Sequence, residues 1–438
     1  MLARRENNLL SLLPDVAYRE MITSLGMSRR GIVLVNDPAL VAQVMDTDAA
    51  LFPKNDLFVG ALEGLVGDAM FVSSGERWRS QRRTLEPTFG HMHLGRAFAG
   101  MAAAVADARP QLDAAASSGA RFSLDATMTH LTADIITRAI FSTPLQQSTA
   151  RQVFDAFDVF ERGVENVSVR QLLLGAPWAP VPQTQKVRTA CQTIRKLVGD
   201  LLDARLSGAA PPREDIAGAA IAARDPQTGR GFDREELINE IGVFFLAGHE
   251  TTASALTWTM FILSQQPLTT KRIRDEVSAI AGDAPLQLEQ VRKLPFVRNV
   301  LKEALRLYPP ITFLPRVAAE ATTLGDRRIA KGTMLLIAPW SIHRHERLWR
   351  NPDRFDPDRF NPEREHEIVK GAYIPFGTGP RVCIGAAFAT LEATLVVAEL
   401  VRSYDWQACA PEKVWPLARL TTRPTHEIQC QIRAVGRT

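Results

Sequence analysis

The chain has 438 residues, 46% hydrophobic and 7% aromatic, with 52 Lys and Arg against 48 Asp and Glu, a net charge of +4 and a pI near 9.0. That balance is too weakly basic to argue for nucleic acid; it suits a helical globular protein with a local basic patch for an acidic partner. The four cysteines, Cys191, Cys383, Cys409 and Cys430, form no CxxC pair and no zinc spacing, which speaks against a disulfide framework or zinc site and fits a reducing, cytoplasmic compartment.

At the N-terminus Arg4 and Arg5 precede a short apolar stretch, but Asn7, Asn8 and Pro14 interrupt it and no small-residue cleavage site follows. No run approaches the ~20 apolar residues of a membrane span. A soluble, single-domain chain over 1–438 is expected, since no composition break divides it. Ile32-Val33-Leu34-Val35 reads as a strand ending in the Asn36-Asp37-Pro38 turn. A short helix is expected from Ala39 to Met45. Residues 56–75 read as a loop with apolar contents, and helices follow from 76 to 205, broken once at Pro177–Pro182. Gly, Pro and charge mark 206–232 as a surface connection. From Asp233 to about Gln265 runs the longest helical stretch, apolar nearly all round in its middle, as a core-crossing helix must be. Shorter helices fill 270–308. Strand signals follow at Ile311–Leu314, Arg327–Ile329 and Met334–Ile337, and 344–372 reads as a polar meander. The sum is a mainly α fold with a small β region.

The densest chemistry lies in Phe376-Gly377-Thr378-Gly379-Pro380-Arg381-Val382-Cys383-Ile384-Gly385. Gly377, Gly379 and Gly385 remove side chains where backbone passes close to something flat or takes positive φ. Cys383 then sits before an apolar helix, whose N–H groups and dipole are expected to hold it as thiolate. The spacing Phe-x-x-Gly-x-x-x-Cys-x-Gly resembles the haem-binding signature of the cytochrome P-450 monooxygenases. The resemblance implies haem b between the long helix and the Cys-loop helix, Cys383 as iron ligand, and Phe376, Gly377 and Gly385 packed around it. A thiolate on haem iron favours O–O cleavage.

Other segments carry the same resemblance. Ala247-Gly248-His249-Glu250-Thr251-Thr252 is similar to the family's oxygen-activation motif. It implies that Ala247 borders the haem, that Thr251 hydrogen-bonds the bound oxygen and that Glu250 relays protons. Thr hydroxyls bonding back to i−4 carbonyls, with Gly248, are expected to bend and loosen the helix. His249 holds the family's variable position and is expected not to be a ligand. Trp78 and Arg82 (i, i+4), Arg316 and Arg381 match positions that reach the haem propionates. Glu303 and Arg306 (i, i+3) sit in an apolar helix, so the pair is expected to be buried; Arg359 offers the third partner a buried pair needs. This triad resembles the family's Glu-x-x-Arg and Pro-x-Arg-Phe elements, a structural lock.

Phe58, Leu62, Leu65, Phe71, Val243, Phe244, Ile311, Phe313 and Leu420 are the candidate lining of an apolar substrate pocket. The implied reaction inserts one atom of O₂ into a hydrophobic substrate: a fatty acid, terpenoid, steroid or aromatic. No fused reductase is read in the chain. Electrons are therefore expected from a separate ferredoxin or flavodoxin-type donor with its reductase, docking on a monomer on the arginine-rich cysteine side, where Arg82 and Arg381 face the propionates and the outer Arg79, Arg83, Arg344, Arg347 and Arg350 carry the contact. A peroxide-driven peroxygenase or isomerase is the rival reading; a haem sensor or electron carrier is a weaker third.

Overall fold

The computed structural model describes residues 8–25, 31–47, 49–146, 148–164, 183–209 and 213–436. The expected break at Pro177–Pro182 lies outside them. The helices are α1 (Pro38–Ala42), α2 (Asp56–Val66), α3 (Gly75–Leu85), α4 (His91–Ser118), α5 (Leu124–Phe141), α6 (Ser148–Val164) and α7 (Gln185–Leu206). They continue as α8 (Ile216–Ala222), α9 (Arg234–Leu263), α10 (Pro267–Ala281), α11 (Leu288–Val291), α12 (Pro295–Leu307), α13 (Pro339–Ile342) and α14 (Ala386–Ser403). One buried core runs through them, with Leu62, Leu131, Phe245, Leu256 and Val396 among its members, and reaches Ile432 near the C-terminus. Each such side chain contributes roughly 1.5–3 kcal/mol on burial.

A four-stranded sheet stands apart with its own apolar clusters. Its strands are β1 (Ile22–Leu25), β2 (Ile32–Val35), β4 (Leu314–Val317) and β7 (Met334–Ile337), in the order β1-β2-β7-β4. β2 and β7 are parallel, Ile32 opposite Met334; β4 is antiparallel to β7, Leu314 opposite Ile337. β2 and β7 are buried at every position, which explains why they read as unbroken apolar runs. The strand expected at Ile311–Leu314 begins three residues later. Thr312 is instead buried and hydrogen-bonded at 2.8 Å to the hydroxyl of Thr422, while Pro315 is tolerated because β4 is an edge strand.

The remaining strands pair across long chain separations. β3 (Phe122–Ser123), β11 (Gln429–Ala434) and β8 (Tyr404–Ala408) form one sheet, β5 (Thr322–Leu324) with β6 (Arg327–Ile329) a second, and β9 (Pro416–Ala418) with β10 (Thr422–Pro424) a third. Two further differences from the sequence reading concern helices. Residues 56–66 form α2 despite Gly60 and Gly64: a Cβ on Gly64 would meet the Gln183 side chain at 2.7 Å, so packing outweighs glycine's poor helix propensity. Within 206–232 lies α8, its N-terminus capped by Asp215, which Arg205 clamps at 2.6 and 2.8 Å.

α9 is the axis of the molecule. It begins in a capping box: the Asp233 carboxylate accepts the Glu236 N–H at 2.9 Å and Glu236 accepts the Asp233 N–H at 3.0 Å. At about 1.5 Å per residue its 30 residues span about 45 Å. Gly248 does not loosen it. A Cβ there would sit 2.6 Å from Ile136 Cδ1, so the glycine lets α5 pack close. Glu250, Ser254 and Trp258 share one stripe at i, i+4 and i+8 and hold the β9–β10 hairpin. Ser254 and the Trp258 indole both donate to the Thr422 carbonyl, at 2.7 and 2.8 Å.

Glu240, two turns before Ala247, is fully buried; Oε1 accepts the Met70 N–H at 2.8 Å and Oε2 has no partner among the described residues. Burial pushes its carboxyl up to about 8. The folded chain therefore keeps a proton that the unfolded chain releases near pH ~4.3. Between those values stability falls as pH rises, by about 1.4 kcal/mol per unit from this group, and levels off above them. Thermal denaturation across that range should show a shallower fall for Glu240→Gln than for the wild type. Identical slopes would mean that Glu240 is ionised inside the protein.

Candidate functional site

The Cys383 loop is shaped by two left-handed glycines. Gly377 has φ +76° and Gly379 φ +70°, and a Cβ on Gly379 would lie 2.4 Å from the Met45 carbonyl oxygen. The loop closes through the Cys383 N–H, which donates to the Phe376 carbonyl at 2.9 Å, and a 3₁₀ turn at Gly379–Arg381. α14 begins immediately after, with Gly385 as its N-cap. Cys383 is exposed on this loop. Although the residue is open to solvent on one side, the protein atoms crowded around the sulfur raise its thiol, and the Gly385 N–H and Arg82 pull it down by less. A bound metal cation would displace that proton and hold the sulfur as thiolate.

Around this loop the structure gathers cations. Arg82 on α3 donates to the Val382 carbonyl at 2.8 Å. Arg381 donates to the Ser73 carbonyl at 2.8 Å, with its guanidinium 4.3 Å over the Trp78 ring. Arg316 on β4 is 6% exposed and donates to the Pro315 carbonyl at 3.0 Å. Burial lowers Arg316 to about 10; burial and Arg316 lower Arg381 to about 10. Lys54, which the sequence reading missed, bridges to Arg316 in the backbone, donates to the Phe71 carbonyl, and is pushed well down by burial, Arg381 and Arg316. Among the described residues no carboxylate pairs with Arg316 or Arg381. Such a cluster calls for anions. A sulfur on a glycine-bared loop beside it fits an iron porphyrin with two carboxylates. Nothing local in the sequence marked Lys54, because Arg316 and Arg381 lie more than 250 residues away.

A family model, Cytochrome P450, matches residues 4–431. The chain belongs to the cytochrome P450 family. A cytochrome P450 is a haem-dependent monooxygenase, so this chain is an oxidoreductase that takes up haem and O₂. It is 31% identical over 399 residues to cyclooctat-9-en-7-ol 5-monooxygenase of Streptomyces melanosporofaciens, covering 91% of this chain and 84% of that one. Cyclooctatin synthase of the same organism is 29% identical over 422 residues, 96% and 90% of the two chains. Pentalenene oxygenase of Streptomyces avermitilis is 28% identical over 406 residues, 92% and 87%. The solved haem domain of cytochrome P450DA superposes with a TM-score of 0.85 at 24% identity, covering 95% of this chain and 90% of that one. A cytochrome P450 named CYP102L1 gives 0.83 at 24%, with 96% and 93% covered. These two establish the fold. No described helix of this P450 is long and apolar enough to cross a membrane.

On α9 the Thr251 hydroxyl donates back to the Ala247 carbonyl at 2.7 Å, and the Thr132 hydroxyl of α5 donates to the His249 carbonyl at 3.1 Å. Glu250 is buried and clamped. Its Oε1 accepts the Thr421 hydroxyl at 2.5 Å and Arg423 Nε at 2.8 Å, and Oε2 accepts a second Arg423 N–H. Burial pushes this carboxyl up, but Arg423, His249 and Thr421 outweigh it and hold it well below the usual range. His249 Nδ1 donates to the Phe245 carbonyl at 2.9 Å and Nε2 lies 3.2 Å from Glu161 Oε1. The ligand atoms of Glu161, His249 and Glu250 lie within 4.8 Å of one another. Arg423 already supplies the positive charge there, so the cluster needs no metal.

The candidate pocket residues divide. Leu62, Leu65, Val243 and Phe244 are buried in the main core, Phe244 edge-on to Phe89 at 5.1 Å. Phe71, Ile311 and Leu420 are half-buried. Phe313 packs on the sheet-side cluster, so the structure does not join it to Val243 and Phe244. The Phe58 side chain lies outside the described residues. The docking arginines also divide. Arg83 is pinned to Asp225, whose side chain is fully buried, at 3.0 Å; Arg344 stacks on Trp340 at 3.7 Å. Both are structural, which the charge pattern could not show. Arg79 pairs with Glu76 at 2.7 Å, Arg347 faces Glu20 at 3.8 Å, and Arg350 is exposed.

The expected triad is wholly internal. Arg306 donates to Glu303 at 2.7 and 2.8 Å, and Arg359 Nε reaches Glu303 Oε1 at 3.2 Å. The remaining guanidinium N–H groups meet carbonyls of the meander: His343, Pro352 and Arg354 for Arg306, and Arg350, Asn351 and Arg354 for Arg359. Glu303 also accepts the Asp356 N–H at 2.8 Å.

Proposed function

We propose that this P450 binds haem b with Cys383 as the iron ligand and hydroxylates a hydrophobic substrate, taking electrons from a separate ferredoxin or flavodoxin-type protein. One observation carries the reading: a cysteine on a glycine-bared loop beside Arg316 and Arg381, neither of which pairs with a carboxylate among the described residues. Haem held by a cysteine thiolate activates O₂, inserting one oxygen atom into a C–H bond while the other leaves as water. Arg82, Arg316 and Arg381, with Lys54 added, hold the two haem carboxylates, and Trp78 braces Arg381. The Phe376 carbonyl fixes the Cys383 backbone. Gly377 and Gly385 would keep side chains off the ring, and Ala247 would border it. Thr251, whose hydroxyl donates to the Ala247 carbonyl, would offer that hydroxyl as a hydrogen-bond donor during oxygen activation. Among fatty acids, terpenoids, steroids and aromatics, the names of the Streptomyces relatives favour a terpenoid, and apolar side chains such as Val243, Phe244 and Leu420 are compatible with one. The whole chain is one haem domain.

The test is reconstitution with a ferredoxin, its reductase and a terpenoid alcohol, measuring product and peroxide per reductant consumed. Thr251→Ala should keep reductant consumption while product falls about tenfold or more and peroxide rises, in the range of a lost acid–base group. Unchanged coupling would leave Thr251 only its helix-bending role.

A further inference from the structure

Between Leu237 and Leu263, α9 is fully buried at every position except Ala247, Gly248 and Thr251, so the open space beside the helix lies along that stripe. Glu240 shares the face. At about 100° per residue, Ala247 and Thr251 fall within about 20° of Glu240 around the axis, whereas His249 falls on the opposite side. The contacts agree. Glu240 meets the Met70 N–H just before α3 and Phe244 meets the Phe89 ring just after it, while His249 meets Glu161 of α6.

The bonding of Glu240 is half complete. Oε1 accepts the Met70 N–H at 2.8 Å; Oε2 is buried and has no partner among the described residues. The charged groups that face it are engaged elsewhere. Glu236, one turn earlier, accepts from Arg230 at 2.9 Å and from the Asp233 N–H at 3.0 Å, and Arg77 of α3 pairs with Asp68 at 3.2 Å. One turn further on, Val243 and Phe244 are apolar. A buried polar atom left unbonded costs free energy, so Oε2 calls for a partner the chain does not supply. Burial keeps this carboxyl protonated at neutral pH, outweighing the Met70 N–H. It therefore has a hydrogen to donate.

We propose that Glu240 determines specificity in this P450, its Oε2 hydrogen-bonding a neutral oxygen, a hydroxyl or carbonyl, on the terpenoid substrate. The proposal rests on the monooxygenase reading and deepens it: the substrate already carries oxygen before it is oxidised. Glu240 lies seven residues before Ala247 and eleven before Thr251, about 10.5 and 16.5 Å along α9. The substrate oxygen is anchored at Glu240, and the carbon to be oxidised lies roughly 10–17 Å from it. Val243 and Phe244 face the apolar skeleton between them. The Met70 N–H is the positioning group, since it occupies Oε1 and leaves Oε2 to the ligand. An amine fits less well, because it would require two desolvated charges in an apolar setting.

Phytol and phytene, one diterpenoid skeleton with and without a terminal hydroxyl, test this on the haem-loaded protein. Binding is read from the Soret shift. The wild type should bind phytol about five- to tenfold more tightly than phytene, the size of one net hydrogen bond. Glu240→Leu should erase that preference and leave phytene binding unchanged or tighter. Glu240→Gln should keep it, since one amide can accept the Met70 N–H and donate to the hydroxyl. Infrared spectroscopy reads the group directly. The protonated-carboxyl band that Glu240→Gln removes should move to lower frequency with phytol and stay in place with phytene. In turnover the wild type should oxidise phytol far from its hydroxyl, and Glu240→Leu should scatter the products along the chain. An unmoved band, a preference or product pattern that survives Glu240→Leu, tighter binding of phytylamine than of phytol, or binding of neither terpenoid overturns the proposal. If Glu240→Leu does not fold, the infrared band decides alone. The monooxygenase reading stands in every such case if any terpenoid gives reductant-driven product, and fails if none does.

Discussion

Cys383→Ser should eliminate the strongly red-shifted Soret band of the reduced, CO-bound protein, and Cys383→His should do the same. The band reports thiolate on the iron, and Cys383 is the sulfur on the glycine-bared loop. The other described cysteines are elsewhere: Cys191 is buried in α7, Cys430 is buried in β11, and Cys409 follows β8. Folding should survive. Cys383 contributes its N–H to the Phe376 carbonyl, a bond that serine and histidine retain. Loss should therefore be confined to the spectrum and to monooxygenation, with far-ultraviolet circular dichroism unchanged. A substituted protein that kept the band would remove Cys383 as the ligand.

Glu303→Ala should act on folding and not on chemistry. The carboxylate is fully buried and neutralises Arg306, also fully buried, and Arg359, which is 6% exposed. Its removal leaves two guanidinium groups in a dry interior. Breaking one side of a buried pair costs roughly 3–5 kcal/mol, a large share of a stability of ~5–15 kcal/mol. The meander carbonyls would lose their anchors with it, so poor yield, a lowered Tm and weak haem retention are expected together. Glu303→Gln keeps one acceptor and should be milder. A fully stable haem-loaded Glu303→Ala protein with a purely catalytic defect would contradict the structural assignment.

What was legible in the sequence is what the chain builds from near neighbours. The Cys383 loop needs ten consecutive residues and two positive-φ glycines. The Thr251 back-bond needs a separation of four along one helix, and the Glu303–Arg306 pair a separation of three. The long buried helix announced itself by being apolar all round, and β2 and β7 by being apolar at every position. Each of these follows from local geometry, so spacing along the chain suffices to find it.

The tertiary structure decided everything that depends on which distant segment arrives. Gly64 sits inside a helix because Gln183 packs against it, and Gly248 because Ile136 does. Neither is visible in propensities. β3 is two residues long and exists because β11 lies beside it, some 300 residues later. Arg83 and Arg344 looked like docking charges until Asp225 and Trp340 claimed them. Above all, the motif alone marks Glu250 as a proton relay but not its partners, Arg423 and Thr421, which arrive from the C-terminal hairpin and hold its carboxylate. A carboxyl's proton affinity is set by burial and by charges a few ångströms away, and those neighbours are chosen by the fold.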